Sequence, residues 1–433
     1  MQRESDHDIG GRMNAPTRRR LDGALFALLA FALVLRLVYV LKVAPNAVHG
    51  DQDDYLDAAR RLLDGRPMAF RNFHLFVRPP GFSLFIALVW KLTGSRSIMA
   101  VKLAQAFVGT ASCWYVGQLT TLLTPRRLTQ LAAVAGAAFY PYFLYYTSLC
   151  GTETLSIFFV LAGTYHLALG LADPPDLKQL LIGSLVLSLG NLVRAHVTVL
   201  WPLVGLWVVW RYWPRLRVIA TIAVALAVPL VLVSLPWTIA VARQNLGVMF
   251  VTDGAGIYYY MGHNDTTEQL YCEKLDAAHE QALINYGEHL KSEPAYVEAA
   301  AAPQGQQSAV FMRAGLAWDR AHAGKLPCIT ASKFWGYWRP YVNPATYGRV
   351  TVLASLVALP IMILAAVGLF CAWRAGANRA LTSLVLLEIV AGTASAVIFS
   401  TEVRYRIQAV DGFLIAYAAY ALCEWLARRR LID

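Results

Sequence analysis

Long apolar runs joined by short polar links make up most of this chain. They fall near residues 22–43, 98–122, 129–148, 151–171, 178–196, 197–211, 217–240, 350–373, 379–399 and 408–427. A helix needs roughly 20 apolar residues to cross a hydrocarbon core, so the shorter runs imply tilt or kinks. One further run, "PGFSLFIALVWKLTG" (80–94), is too short to cross comfortably. It is expected to form a re-entrant or interfacial helix with Lys91 near its end. A polar stretch of about a hundred residues (241–349) holds helix-like segments such as "TEQLYCEKLDAAHEQALINYGEHL" and "SAVFMRAGLAWDRAHAG". The pattern predicts an all-α polytopic membrane protein with about ten transmembrane helices, interfacial helices in its first outer loop, and a large outer loop.

Four regions follow: a tail over 1–21, a transmembrane core over 22–240 with its first outer loop at 44–97, a cap over 241–349, and C-terminal transmembrane helices over 350–433. Composition agrees. Of 433 residues, 57% are hydrophobic and 15% charged, where soluble domains run near half and a quarter.

Charge then sets the topology. If 80–94 does not cross, "TRRR" (17–20), "PRR" (125–127), "RYWPRLR" (211–217), "WRAGANR" (373–379) and "ARRR" (427–430) all face the cytoplasm. If it does cross, every cluster after the first changes sides, which the positive-inside rule disfavours. Both termini are therefore expected to be cytoplasmic. The 44–97 loop, the turn at 148–152 and the 241–349 loop then share the opposite face, periplasmic for a bacterial inner membrane. The net charge of +11 is dispersed among these clusters, so no nucleic-acid surface is implied. The first twenty residues read as a retained cytoplasmic tail, not a removed signal peptide. Six cysteines show no CxxC and no zinc spacing. Cys272 and Cys328 share the large outer loop and could pair in an oxidising compartment, but spacing alone does not show that they meet.

Candidate chemistry gathers on the outer face. In "HGDQDDYLDAARRL" (49–62), Asp51, Asp53, Asp54 and Asp57 crowd ahead of and into a helical pattern carried by Tyr55, Leu56, Ala59, Leu62 and Leu63. A helix cap and a solvated face account equally well for Asp53, Asp54 and Asp57. The segment "FRNFHLFVRPPG" (70–81) adds Arg71, His74 and Arg78, positive charge against the topological bias. It suits a phosphate or anionic lipid head groups. Arg194 in "LGNLVRAHV", Arg404 and Arg406 in "TEVRYRIQ", and Glu153 in "SLCGTETL" lie at outer span ends. Arg36 sits within the first span, where an ionisable group is a functional candidate unless it snorkels. Glu388 is mid-span, is expected to pair with a neighbouring helix, and receives no role. A few carboxylates and several arginines around a membrane surface suit group transfer from a lipid-linked phosphate donor. Phosphate leaves as a stable anion that arginines can hold, so only a base is needed to take the proton of the attacking hydroxyl. Glycosidases need two carboxylates because their leaving group is poor.

These segments resemble the bacterial membrane glycosyltransferases of the GT-C fold (glycosyltransferase family 39-like), related to protein O-mannosyltransferases and lipid A aminoarabinose transferases. "GDQDDY" is similar to the family's D-E-x-x-Y, which implies Asp51 as the catalytic base, with Gln52 in place of the usual Glu and Asp54 and Tyr55 near the substrate. "RPPGFSLFIALVWKLTG" resembles the R/K-P-P motif and implies donor-phosphate contact by Arg78. "YPYFLYYTSLCGTETL" and "SLGNLVRAH" imply a catalytic acidic residue at Glu153 and a phosphate contact at Arg194. "PWTIAVARQN" resembles P-W-x-x-R-N with Ala240 for the Arg. "GIYYYMGHND" resembles G-x-N-L-x-x-G-N-N, which places His263 and Asn264, with His74, near substrate. "RYRIQAVD" resembles R-Y-R-x-P-x-x-P without its prolines and adds Arg404 and Arg406 as phosphate contacts.

The resemblance implies an inverting transfer of a sugar from a polyprenyl-phosphate-linked donor. A glycolipid, polysaccharide or protein acceptor would be enclosed by the large loop. No cofactor is signalled, and whether a divalent cation assists stays open. An undecaprenyl-diphosphate-dependent oligosaccharide ligase or polymerase is the nearer alternative. A transporter or flippase of anionic lipid-linked sugars is the more distant one, and neither the paired repeats nor the midplane polar groups of that class are evident.

Overall fold

The computed structural model describes residues 15–48, 50–68, 78–243, 250–273, 293–303, 305–341 and 350–432. Among these residues the secondary structure is helical, without strands. Helix α1 (Ala15–Val38) runs into a π-helical turn at Tyr39–Val43. The first loop carries α2 (Gln52–Leu63) and α3 (Gly81–Thr93), followed by α4 (Ile98–Thr121), α5 (Arg127–Phe139), α6 (Pro141–Thr147), α7 (Glu153–Gly170), α8 (Leu177–Val193), α9 (Val197–Tyr212) and α10 (Leu216–Ala242). A cap follows, built from α11 (Ala255–Met261), α12 (Asp265–Cys272), α13 (Pro294–Ala301), α14 (Gln307–Ala321) and α15 (Leu326–Trp338). The chain returns through α16 (Val350–Ala375), α17 (Arg379–Ile398), α18 (Val403–Ala409) and α19 (Asp411–Arg428).

All the apolar runs read from sequence fall on helices. Among the described residues, five helices are long and apolar enough to cross a membrane singly, or up to seven if each bent pair is counted as one span. The structure therefore does not establish ten spans. Two local effects lower the number. Tyr140–Pro141 interrupts the run at 129–148 where proline removes a backbone donor, and α8 and α9 are short. The segment 80–94 turns 107° away from α4. Left-handed Gly94 ends α3, and the Ser97 side chain accepts from Met99 N to start α4. Outer faces of α10 and α16 expose Val224, Leu232, Leu353, Leu356, Ile363 and Phe370. Surfaces this apolar belong in lipid, and the protein is a multi-pass membrane protein.

Between lipid-embedded helices no hydrophobic drive remains, so close backbone approach supplies the packing. Helices α7 and α8 interlock by a small-against-large exchange. Gly163 faces Leu187, Gly170 faces Leu180, Gly183 faces Leu167, and Gly190 faces Phe159. A Cβ on Gly183 would stand 2.7 Å from Leu167 N, with backbone that cannot give way. In the cap, Cys272 and Cys328, left open by the sequence, are disulfide-bonded and join the end of α12 to α15.

Gly183→Leu should force α7 from α8 and cost about 2 kcal/mol or more, read as a lower unfolding temperature of the detergent-solubilised protein. Gly205→Ala, whose Cβ meets nothing within 4 Å, should leave that temperature unchanged or slightly raised.

Candidate active site

Asp51 stands at the N-cap position of α2, yet its side chain makes no capping hydrogen bond. The cap reading therefore fails for this residue. Its carboxylate turns to Arg78, whose Nη2 donates to Asp51 Oδ1 at 2.8 Å while Nε donates to Asp54 Oδ2 at 2.8 Å. One guanidinium is thus forked between two acids a helical turn apart, and it lies 5.2 Å from the Tyr55 ring. Burial pushes the Tyr55 phenol up to about 12, so it stays protonated. The "RPPG" motif reaches this position because Gly81 has no side chain. A Cβ there would stand 2.6 Å from Leu192 O, so the glycine lets the loop press onto the end of α8 beside Arg194.

A second set of charges continues the first. Arg404 Nη1 lies 3.6 Å from Asp51 Oδ2 and 3.9 Å from Glu153 Oε1. Arg194 Nη1 lies 3.7 Å from Glu153 Oε1 and donates to Thr152 Oγ1 at 3.0 Å. Gln408 Nε2 donates to Glu153 Oε1 at 3.3 Å. The Tyr405 ring packs against the guanidinium groups of both Arg194 (4.7 Å) and Arg404 (5.5 Å). The result is one row: Asp54, Arg78, Asp51, Arg404, Glu153, Arg194.

The row faces a cavity of about 370 Å³. Asp51, Arg78, Arg194 and Arg404 form its charged part, with the neutral Tyr55 beside them; Val193, Val199, Ala396, Phe399 and Ala409 make other walls apolar; Phe250, Thr252 and Tyr258 come from the start of the cap. Sequence reading singled out five of these residues. It missed Thr152, His196, Tyr258 and Tyr405, which lie within the quoted segments but were given no role. His196, two positions after Arg194, was the most accessible of them. Burial, with the nearby Arg194 charge, pulls its imidazole down to about 3, so it is neutral at physiological pH. Its Nε2 has no hydrogen-bond partner among the described residues.

Other expected site residues sit elsewhere. Glu153 and Asp54 are not on the cavity wall; both are buried and hold arginines. Arg406 lies apart from the cavity wall. It is fully buried, pairs with Asp411 (Nε–Oδ1 2.7 Å) and donates to the carbonyls of Trp338 and Arg339 at 3.2 and 2.6 Å. These contacts lie at the 63° bend between α18 and α19. Arg36 likewise donates to Ala32 O, Ala137 O and Cys113 Sγ inside the bundle. Glu388 is buried with neither carboxylate oxygen hydrogen-bonded among the described residues, so the expected pairing is not seen there. Asp53 is exposed, and Asp57 pairs with Arg60. His74 and Arg71 lie outside the described residues.

His263 and Asn264 do not line the cavity; their contacts lie within the cap and at the end of α17. Asn264 caps α12 by accepting from Thr267 N. His263 Nδ1 is 2.6 Å from Asp319 Oδ1, and its Nε2 is 3.0 Å from Ile398 O and from Lys333 Nζ. Lys333 Nζ also donates to Phe399 O at 2.7 Å and Val397 O at 3.2 Å. The last carbonyls of α17, which a helix leaves without partners, are therefore answered by cap side chains. These carbonyls lie a few residues before Arg404. Gly262 makes the approach feasible, since a Cβ there would stand 1.8 Å from Phe399 O.

Residues 77–237 match the family described as dolichyl-phosphate-mannose-protein mannosyltransferase. That stretch is less than half of the 433-residue chain. The fold is similar to that of the oligosaccharyltransferase AglB from Archaeoglobus fulgidus. Its complex with an inhibitory peptide and a dolichol-phosphate matches at 12% identity and TM-score 0.54, covering 94% of this chain and 51% of that one. Its apo form matches at 13% identity and TM-score 0.56, again over 94% and 51%. This chain therefore spans about half the length of those structures. ArnT from Cupriavidus metallidurans bound to undecaprenyl phosphate matches at 14% identity and TM-score 0.40, over 94% and 78%. No curated protein sequence matches. The matched stretch includes Arg78, Glu153 and Arg194, while Asp51 and Arg404 lie outside it. Among the described residues, no three His, Cys, Asp or Glu side chains are grouped to hold a metal ion.

The clamp on α17 has a pH signature. Burial pulls the Lys333 ammonium down to about 7. The unfolded chain would thus hold a proton that the folded chain lacks, from pH 7 up to the ordinary lysine value near 10.4. Stability therefore rises with pH across that window, and its lysine part is lost as pH falls to 7. Burial also lowers His263, which extends the loss below the ordinary histidine value. The unfolding temperature should climb between pH 7 and 9, and Lys333→Met should flatten that climb; equal slopes for the two proteins would refute the assignment.

Proposed function

We propose that this protein is an inverting glycosyltransferase that moves a sugar from a polyprenyl-phosphate-linked donor to an acceptor at the outer face of a bacterial inner membrane. One observation carries the reading: three arginines and Asp51 converge on one cavity whose remaining walls are largely apolar. Such a cavity suits a molecule with an anionic head and a hydrocarbon tail.

In this scheme the acceptor hydroxyl attacks the anomeric carbon. The carbon–oxygen bond to phosphate breaks from the opposite side, and polyprenyl phosphate leaves with the electron pair. Asp51 takes the hydroxyl proton. Arg78, Arg194 and Arg404 stabilise the charge that develops on the leaving oxygen. Their resting partners explain how they stay poised. Each guanidinium lies against a carboxylate, and an arriving phosphate competes for Arg78 and Arg404, which frees an Asp51 oxygen for the proton. Asp54 and Glu153 keep their places behind the wall and act as positioning residues. Tyr55 and His196 are neutral hydrogen-bonding groups for the sugar. The acceptor, whether glycolipid, polysaccharide or protein, enters beneath the cap.

The proposed topology places both termini in the cytoplasm and the cap outside. A disulfide between Cys272 and Cys328 is at home in an oxidising compartment, which supports that orientation.

Asp51→Asn keeps the shape and the acceptor oxygen for Arg78 but removes the base. Turnover should fall by about 10³-fold or more, while donor affinity stays within about threefold. An Asp51→Asn protein with ordinary turnover would sink the mechanism. Arg78→Ala removes a charge-assisted contact of about 1.5–3 kcal/mol. It should weaken binding of undecaprenyl phosphate by roughly ten- to a hundredfold in a titration; unchanged affinity would take the phosphate away from Arg78.

A further inference from the structure

The two helices that frame the active cavity also frame a second one at their other ends. Helix α9 contributes Thr198 and Val199 to the first cavity and Trp207, Trp210 and Arg211 to the second; α17 contributes Ser395 and Ala396 to the first and Arg379, Thr382 and Ser383 to the second. At 1.5 Å per residue the two sites stand roughly 20 Å apart, which places the second near the opposite membrane surface. Its volume, about 380 Å³, matches that of the first.

Its chemistry is that of an interfacial anion site. Arg211 and Arg379 line it, and neither has a carboxylate within ion-pair distance among the described residues. Neighbouring basic residues differ. Arg215 takes both oxygens of Asp173 at 3.0 Å, the acid that Arg211 also influences, and Arg126 takes Glu424. The turn that presents Arg379 is specifically built. Gly376 and Asn378 have φ of +67° and +29°, and the Asn378 side chain caps α17 by accepting from Leu381 N. Arg379 thus opens a twenty-residue helix, where the helix dipole adds to its charge. Indoles of Trp207, Trp210 and Trp373 surround the site, as is usual at head-group depth. Below the arginines, exposed Leu206 is one turn from Trp210 on α9, and exposed Val367 and Phe370 precede Trp373 on α16. Acyl chains can lie along both faces.

We infer that this second cavity binds the phosphodiester head group of an anionic glycerophospholipid, with its chains running along α9 and α16. Two unpaired guanidinium groups select negative charge, and the apolar tracks select a lipid over a free phosphate. The inference does not depend on the proposed transfer reaction.

The test uses the full chain, delipidated in detergent and titrated separately with dioleoyl-phosphatidylglycerol and dioleoyl-phosphatidylcholine, with bound lipid counted by native mass spectrometry. The wild type should retain the anionic lipid at least about tenfold more tightly. Arg211→Gln/Arg379→Gln should abolish that preference without lowering the unfolding temperature, because both residues are exposed. Asp51→Asn should keep the preference. The assignment is overturned by a wild type that does not discriminate, by an unchanged double variant, or by a preference lost equally in Asp51→Asn. Displacement of phosphatidylglycerol by stoichiometric undecaprenyl phosphate would overturn it too, since the site would then belong to a polyprenyl carrier.

Discussion

Charge compensation at the end of an apolar bundle governs this structure. Three acids and three arginines alternate in a row from Asp54 to Arg194, so that each buried charge has opposite charge beside it. Isolated, any one of them would be costly next to hydrocarbon. In alternation they are tolerated, and the helices that carry them are drawn together: the start of α2, the loop before α3, the start of α7, the end of α8 and the start of α18. The same row that assembles the bundle end is, in the proposed reaction, the machinery that receives a phosphate. A site whose cations already rest on anions needs little rearrangement to accept another anion.

Much of this was legible in the sequence because membranes make patterns coarse. Lipid demands long apolar runs, and the segment at 80–94, set apart by its length and by the positive-inside rule, is a helix bent 107° from α4. Acids and arginines beside such runs are expected to be functional or paired, and Asp51, Arg78, Arg194 and Arg404 are neighbours. The expected residues that lie away from the cavity share a cause. Arg406 resembles Arg404 in sequence, yet two residues along a helix point in nearly opposite directions. One meets the cavity and the other meets Asp411. His263 and Asn264 sit in a motif-like stretch whose side chains turn into the cap, because α11 and α12 need a cap and a partner for Asp319 there. His196, Tyr258 and Tyr405 went unseen because nothing in a linear pattern reports which residues share a wall.

The cap does more than cover. Its only described fastening to α17 that uses titratable groups is the pair His263 and Lys333, seated on the carbonyls of residues 397–399. Phe399 lines the cavity, and Arg404 follows shortly after. The contacts of the cap on residues 397–399 are thus joined to an arginine of the charged row by the short stretch of backbone from Phe399 to Arg404.

Gly262 turns that coupling into a restriction on protein engineering. With 1.8 Å between a hypothetical Cβ and Phe399 O, the loop after α10 and the end of α17 fit as a matched pair of surfaces. Grafting another loop onto these spans, to redirect acceptor choice, will succeed only where the donor loop brings its own glycine to the same contact.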